Sequence, residues 1–136
     1  MTADEKQREL AKYRMQQAAE SLDEARFLQA GGKSTRSVIN RAYYAMFYAV
    51  LALLVYESFS SAKHSGVLGY FNQHFIKDGI FDKSLGFSLA RAFELRQRMD
   101  YREQIEPRPD EAVQVLNQAE HFVQTVGTYL VALGKA

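Results

Sequence analysis

The chain has 136 residues, of which 47% are hydrophobic and 24% charged, and a formal net charge of +1. One globular domain with a real core is expected at this length, and the near-neutral balance excludes the global basic field of a nucleic-acid coat protein. Cysteine is absent, which excludes disulfides, zinc–thiolate sites and thiol catalysis and fits a reducing compartment.

The N-terminal ten residues are polar and of mixed charge, unlike a signal peptide, so a cytoplasmic protein is expected. The apolar period predicts a first helix from about Asp4 to Ala30, with the stripe Ala11, Met15, Ala18, Leu22 and Ala25. Leu10, Ala19 and Leu28 lie beside that stripe. Gly31-Gly32 ends the helix, because glycine takes a left-handed cap without penalty.

Ser34 or Thr35 caps a second helix, expected to reach about Glu57. It contains an uncharged run from Ala42 to Tyr56, too long for an ordinary strand. The run falls short of the ~18–20 apolar residues that span a bilayer. A helix apolar all round belongs at the centre of a fold. Val38, Ala42, Ala45, Ala49 and Ala52 form one core face, and Ile39, Tyr43, Met46, Val50 and Leu54 another. The third face carries Arg41, Tyr44 and Tyr48. It is either a donor-rich surface for a phosphate, base or acidic side chain, or a paired arginine with tyrosines that fill core and wet their hydroxyls.

A shorter third helix is expected from about Ser65 to Ile76, with Val67, Leu68, Phe71 and Phe75 inward. Lys63-His64-Ser65-Gly66 precedes it. Such a cluster either binds an anion at the free N–H groups or supplies a cap from His64 or Ser65. His74 and His121 read as ordinary half-buried or surface histidines.

Asp78-Gly79 makes a turn, and Asp82 caps a fourth helix from about Lys83 to Tyr101. Its inner stripe is Leu85, Leu89, Ala92 or Phe93, Arg96, then Met99 or Asp100. An unpaired charge on that stripe would cost several kcal/mol, so Arg96 needs a partner, in Asp100 or on the second helix. The group is either a structural ion pair or a phosphate contact through the guanidinium fork. Five arginines against four carboxylates between Arg91 and Arg108 read mostly as a solvated helix end with pairs such as Glu94–Arg98.

A loop is expected from Ile105 to Pro109, then a last helix from about Asp110 to Leu133. Its stripe is Ala112, Leu116, Ala119, Val123, Val126, Leu130 and Leu133, spaced by fours and threes as in antiparallel packing. The fold class is therefore all-α, an up-and-down bundle of four long helices plus a short one, in one domain over residues 1–136. No metal-binding spacing, Ser-His-Asp arrangement or Walker-type phosphate loop occurs, and no cofactor is expected.

Three blocks in order, Asn40-Arg41-Ala42-Tyr43-Tyr44-Ala45-Met46-Phe47, Lys63-His64-Ser65-Gly66-Val67 and Glu94-Leu95-Arg96-Gln97-Arg98-Met99-Asp100-Tyr101, resemble the HEPN domain family (higher eukaryotes and prokaryotes nucleotide-binding). The likeness is to its small stand-alone prokaryotic branch and runs from about Leu10 to Leu130. It implies a helical bundle that dimerises and works beside a minimal nucleotidyltransferase in a toxin–antitoxin-like pair. It groups Arg41, Tyr44, His64, Arg96, Asp100 and Tyr101, with Lys63 beside them, as one nucleotide- or partner-binding constellation between the second and fourth helices.

Members of the wider family with an Arg-x(4–6)-His motif are metal-independent RNases. Here the position five after Arg96 is Tyr101, and the next histidine is His121. A tyrosine with an ordinary pKa near ~10 is a poor general base at neutral pH. Three functions follow: a nucleotide-binding partner or modified substrate with Tyr101 as the acceptor, an RNase toxin with a variant site of Arg96, His64 and Tyr101, or a non-catalytic scaffold. In the scaffold, Arg96→Ala breaks a buried pair at about 3–5 kcal/mol. The aromatic group Tyr70, Phe71, Phe75, Phe81 and Phe87 is a candidate dimer surface.

Overall fold

The computed structural model describes residues 1–101 and 106–136, with Tyr101 by its backbone alone. Four long helices and one short helix follow in chain order: α1 (Ala3–Ala30), α2 (Thr35–Leu54), α3 (His64–Phe71), α4 (Lys83–Tyr101) and α5 (Pro109–Ala132). Among the described residues there is no strand, so the expected all-α bundle is observed.

Capping chemistry sets most boundaries. The Thr2 hydroxyl accepts from the Glu5 N–H and starts α1. Between α1 and α2 the left-handed residue is Gly32, with φ 65°, while Gly31 keeps a negative φ and its N–H returns to the Phe27 carbonyl. Ser34, rather than Thr35, caps α2, its Oγ accepting from the Ser37 N–H at 3.2 Å. Thr35 turns outward instead, its hydroxyl 2.7 Å from both the Glu106 carboxylate and the Pro107 carbonyl. The Asp82 carboxylate accepts from the Ser84 N–H at 3.0 Å and begins α4 as expected.

Three boundaries differ from expectation. The second helix ends at Leu54 rather than Glu57. The third begins one residue early, at His64, and from Asn72 to Ile76 it widens into a π-helical turn. Pro109 is not loop but the first residue of α5, where its missing N–H costs nothing and its fixed φ suits the helix. Of the expected 105–109 loop, residue Ile105 lies outside the described residues.

The centre of the bundle is α2, packed against α1, α4 and α5. Ala42, Ala45, Ala49 and Ala52 are all fully buried, and their small side chains let neighbouring backbones approach. Tyr43, Phe71 and Phe122 are the bulkiest fully buried side chains. Such burial contributes roughly 1.5–3 kcal/mol for a large apolar side chain. By length and composition α2 could cross a membrane, but 67% of its apolar window is buried inside the bundle.

Phe71, Phe75 and Phe81 stack together in the core, so they are not a free surface. Phe87, 69% exposed, and half-buried Tyr70 remain of that aromatic group. On α4 the core stripe is Leu85, Leu89, Ala92, Leu95 and Met99. Leu95, not Arg96, fills the position the periodicity assigned to the arginine. On α5, Val115 and Phe122 join the buried stripe, and Leu133 drops out of it at 50% exposure.

Candidate functional site

The outward face of α2 meets the C-terminal half of α4 in an open groove of about 590 Å³. Ser37, Asn40, Arg41, Tyr44 and Tyr48 line it from α2, with Arg36 at its end; Arg96, Met99 and Asp100 line it from α4. The volume falls in the range of small-molecule sites. Among the described residues three arginines and one carboxylate face the opening, which gives a local positive excess that the chain's net charge of +1 conceals.

Arg96 is the hub. Its Nη2 donates to the Tyr44 hydroxyl at 3.1 Å, and its guanidinium carbon lies 5.2 Å from the Tyr44 ring centre and 5.5 Å from that of Tyr43. These are cation–π distances. Asp100, one turn on, is 3.8 Å away and half exposed, so this ion pair contributes about 0–1 kcal/mol. The buried-pair expectation for Arg96→Ala is therefore too large: the arginine is held by tyrosines at the rim of the core, where water still reaches it.

Arg41 sits on the same tyrosine, 5.2 Å from the Tyr44 ring centre. Its carboxylate neighbour is Glu24 of α1, at 3.9 Å and 58% exposed, again a loose contact. Arg36 donates to the Met99 carbonyl at 2.9 Å. The donor forks of Arg41 and Arg96 are thus incompletely used among the described residues, the arrangement suited to accepting a phosphate or carboxylate.

The remaining sequence candidates divide. His64 opens α3 close to the constellation, but it does not line the groove. Its ring stacks on Phe47 with centres 4.1 Å apart, and its Nδ1 lies 2.9 Å from the Tyr43 hydroxyl. Burial, and then the charge of Arg96, lower its pKa below the ordinary histidine value, which favours the neutral ring. Burial pushes the Tyr43 phenol far up, so it keeps its proton. A neutral His64 that accepts from Tyr43 at Nδ1 carries its own proton on Nε2. That tautomer is a donor, not a general base.

Lys63 is exposed and outside the groove. Neither His64 nor Ser65 caps α3: Lys63 holds the cap position without a side-chain bond, and Ser61 Oγ accepts from the Lys63 N–H. His74 and His121 are both exposed. The Tyr101 side chain lies outside the described residues.

Sequence reasoning missed Arg36, Asn40, Glu24 and the role of Tyr43. For Tyr43 a signal existed: a tyrosine on an otherwise aliphatic core face needs a partner for its hydroxyl. Arg36 and Glu24 gave none, because each looked like ordinary helix-surface charge. Among the described residues no cluster of three or more histidine or carboxylate side chains could hold a metal ion.

Comparison with known proteins agrees with this architecture. A UPF0332 protein of Thermotoga maritima is 37% identical over 93% of this chain and 96% of its own length. Two Methanocaldococcus jannaschii proteins, each named "Putative toxin", are 37% and 32% identical, over 69% and 80% of this chain and 64% and 80% of their own lengths. Residues 11–129 match the HEPN domain. With the helical bundle in place around α2, the match across most of the chain and the near full-length relative show that this protein belongs to the HEPN domain family.

Proposed function

We propose that this chain is the toxin-like member of a two-protein system, acting as a homodimer with a minimal nucleotidyltransferase and binding the phosphate of a nucleotide in the α2–α4 groove. The observation that carries the reading is the pair Arg41 and Arg96, each 5.2 Å from the Tyr44 ring centre and, among the described residues, with loose carboxylate partners at 3.9 and 3.8 Å. A phosphate bound there would gain charge-assisted hydrogen bonds from forks already held by the tyrosine ring. The names of the two Methanocaldococcus relatives support the toxin-like part.

The chain is either the ligand-binding partner or the substrate that receives a nucleotidyl group. In the second case a tyrosine hydroxyl is the acceptor, and Tyr101, next to Asp100 at the end of α4, is the candidate. The deciding experiment is intact mass after incubation with the nucleotidyltransferase and nucleoside triphosphates. A nucleotidyl increment lost in Tyr101→Phe supports the substrate role. Co-elution of the two proteins without an increment supports binding alone. No increment and no co-elution removes the paired-system reading.

An RNase toxin is the second reading, favoured by Arg96 and His64 sharing Tyr43 as a neighbour. Against it stands the tautomer in which His64 Nδ1 accepts from the buried Tyr43 hydroxyl, which leaves Nε2 a donor and no free basic nitrogen. This reading requires growth arrest on expression and its loss in both Arg96→Ala and His64→Ala; intact RNA in the presence of folded protein removes it.

A further inference from the structure

We propose that His64 and Tyr43 form an acid-released latch that pins the start of α3 to α2. Two observations meet at this point. The N-terminus of α3 lacks a side-chain cap, so its first turn rests on the contacts of His64 and on the buried side chain of Val67. What His64 touches is buried: the imidazole lies flat on Phe47, with an interplanar angle of 19°, and is bonded to the hydroxyl of the fully buried Tyr43.

The latch is tightest with a neutral ring, whose Nδ1 can accept the proton of the buried Tyr43 hydroxyl. Protonation places hydrogens on both ring nitrogens, so the bond must reverse: Nδ1–H donates to the phenol oxygen, and the phenol's own proton is left with no other acceptor among the described hydrogen bonds. The new charge would face Arg96 from α4, the phenols Tyr43 and Tyr44 from α2, and the positive end of its own helix. Lys63 precedes it in the chain. Among the described residues no carboxylate is paired with it: Asp100 and Glu24 lie beside Arg96 and Arg41, and Glu57 accepts from Tyr70. The depressed pKa has the sign this geometry requires.

A released His64 titrates near ~6.5, the ordinary value, and a latched one lower. The latch is fully engaged above ~6.5 and weakens as the pH falls from there through the latched midpoint. Below that midpoint its contribution is gone, and α3 opens more readily while α1 and α5 stay closed.

The test uses the full chain, with side-chain NMR titration of the three histidines and amide-exchange protection factors, which remove the intrinsic pH dependence of exchange. The expected result is a His64 midpoint below the ordinary histidine value. Protection of residues 64–71 should drop by about tenfold for each pH unit that separates the latched midpoint from the ordinary value, with α5 unchanged. Tyr43→Phe should move the midpoint up. His64→Gln, whose amide oxygen can still accept from Tyr43, should remove the pH step and serves as the second variant if Tyr43→Phe does not fold. A His64 midpoint at or above the ordinary histidine value, or α3 protection that follows α5 at every pH, overturns the proposal.

Discussion

The two sides of α2 are held by different physics. Inward, Ala42, Ala45, Ala49 and Ala52 are buried to the last atom, next to Phe71, Phe122 and Val126 in one contiguous core. Outward, Arg41, Tyr44 and Tyr48 are part-exposed, and the ion pair of Arg41 with Glu24 is loose and wet. The inner side tolerates little change of volume because packed interiors have no slack. The outer side tolerates changes of size and responds to changes of charge. A single helix thus carries the stability of the domain on one side and its candidate chemistry on the other.

The comparison is sharpest where it predicts opposite behaviour. Phe122→Ala, deep on the inner side, should lower unfolding stability by about 3–5 kcal/mol in a denaturant titration. Ala45→Leu adds volume where none is free and should cost about 1–3 kcal/mol; a neutral result would mean that α2 is not packed as tightly as its alanines imply. On the outer side, Arg96→Ala removes one charge-assisted hydrogen bond and its cation–π contacts. It should cost about 1–2 kcal/mol of stability but weaken phosphate or nucleotide binding by about tenfold or more, measured by calorimetry. Asp100→Asn should change stability by less than about 1 kcal/mol while tightening anion binding, since it deletes the one carboxylate that lines the groove among the described residues. Weaker binding in Asp100→Asn would show that the carboxylate orients Arg96 rather than competing with the ligand.

Acidity separates the regions too. His64 should withdraw stability as the pH drops below ~6.5, from the sign of its shift. Asp82 and Asp110, held below their usual values by hydrogen bonds from Ser84 and Arg108, act only at much lower pH. A melting-temperature profile with a shallow fall near neutrality, absent in His64→Gln, and a steeper fall in strong acid would display both.

Much of this was legible along the chain. Ser34, Gly32 and Asp82 punctuate the helices through local backbone chemistry that any short peptide segment contains. The failures are also physical. Pro109 was placed in a loop because proline breaks helix interiors, yet it stands at the first position, where that argument does not apply. Arg96 was placed on the core stripe because a three-four spacing cannot separate adjacent positions 95 and 96 at the edge of an apolar arc; the structure turns Leu95 inward.

By itself the sequence determined that the chain is a helical bundle with α2 at its centre, because an apolar surface all round a helix has no other place to go. It also determined that Arg41, Tyr44 and Tyr48 share a face, because 3.6-residue periodicity is a local property. Only the tertiary structure decided which groups meet that face. Arg96 reaches Tyr44 across 52 residues of sequence, and His64 reaches Tyr43 across 21. Those meetings depend on how far each helix rotates and slides against its neighbour, which is set by packing between whole side-chain surfaces and not by the spacing within either helix.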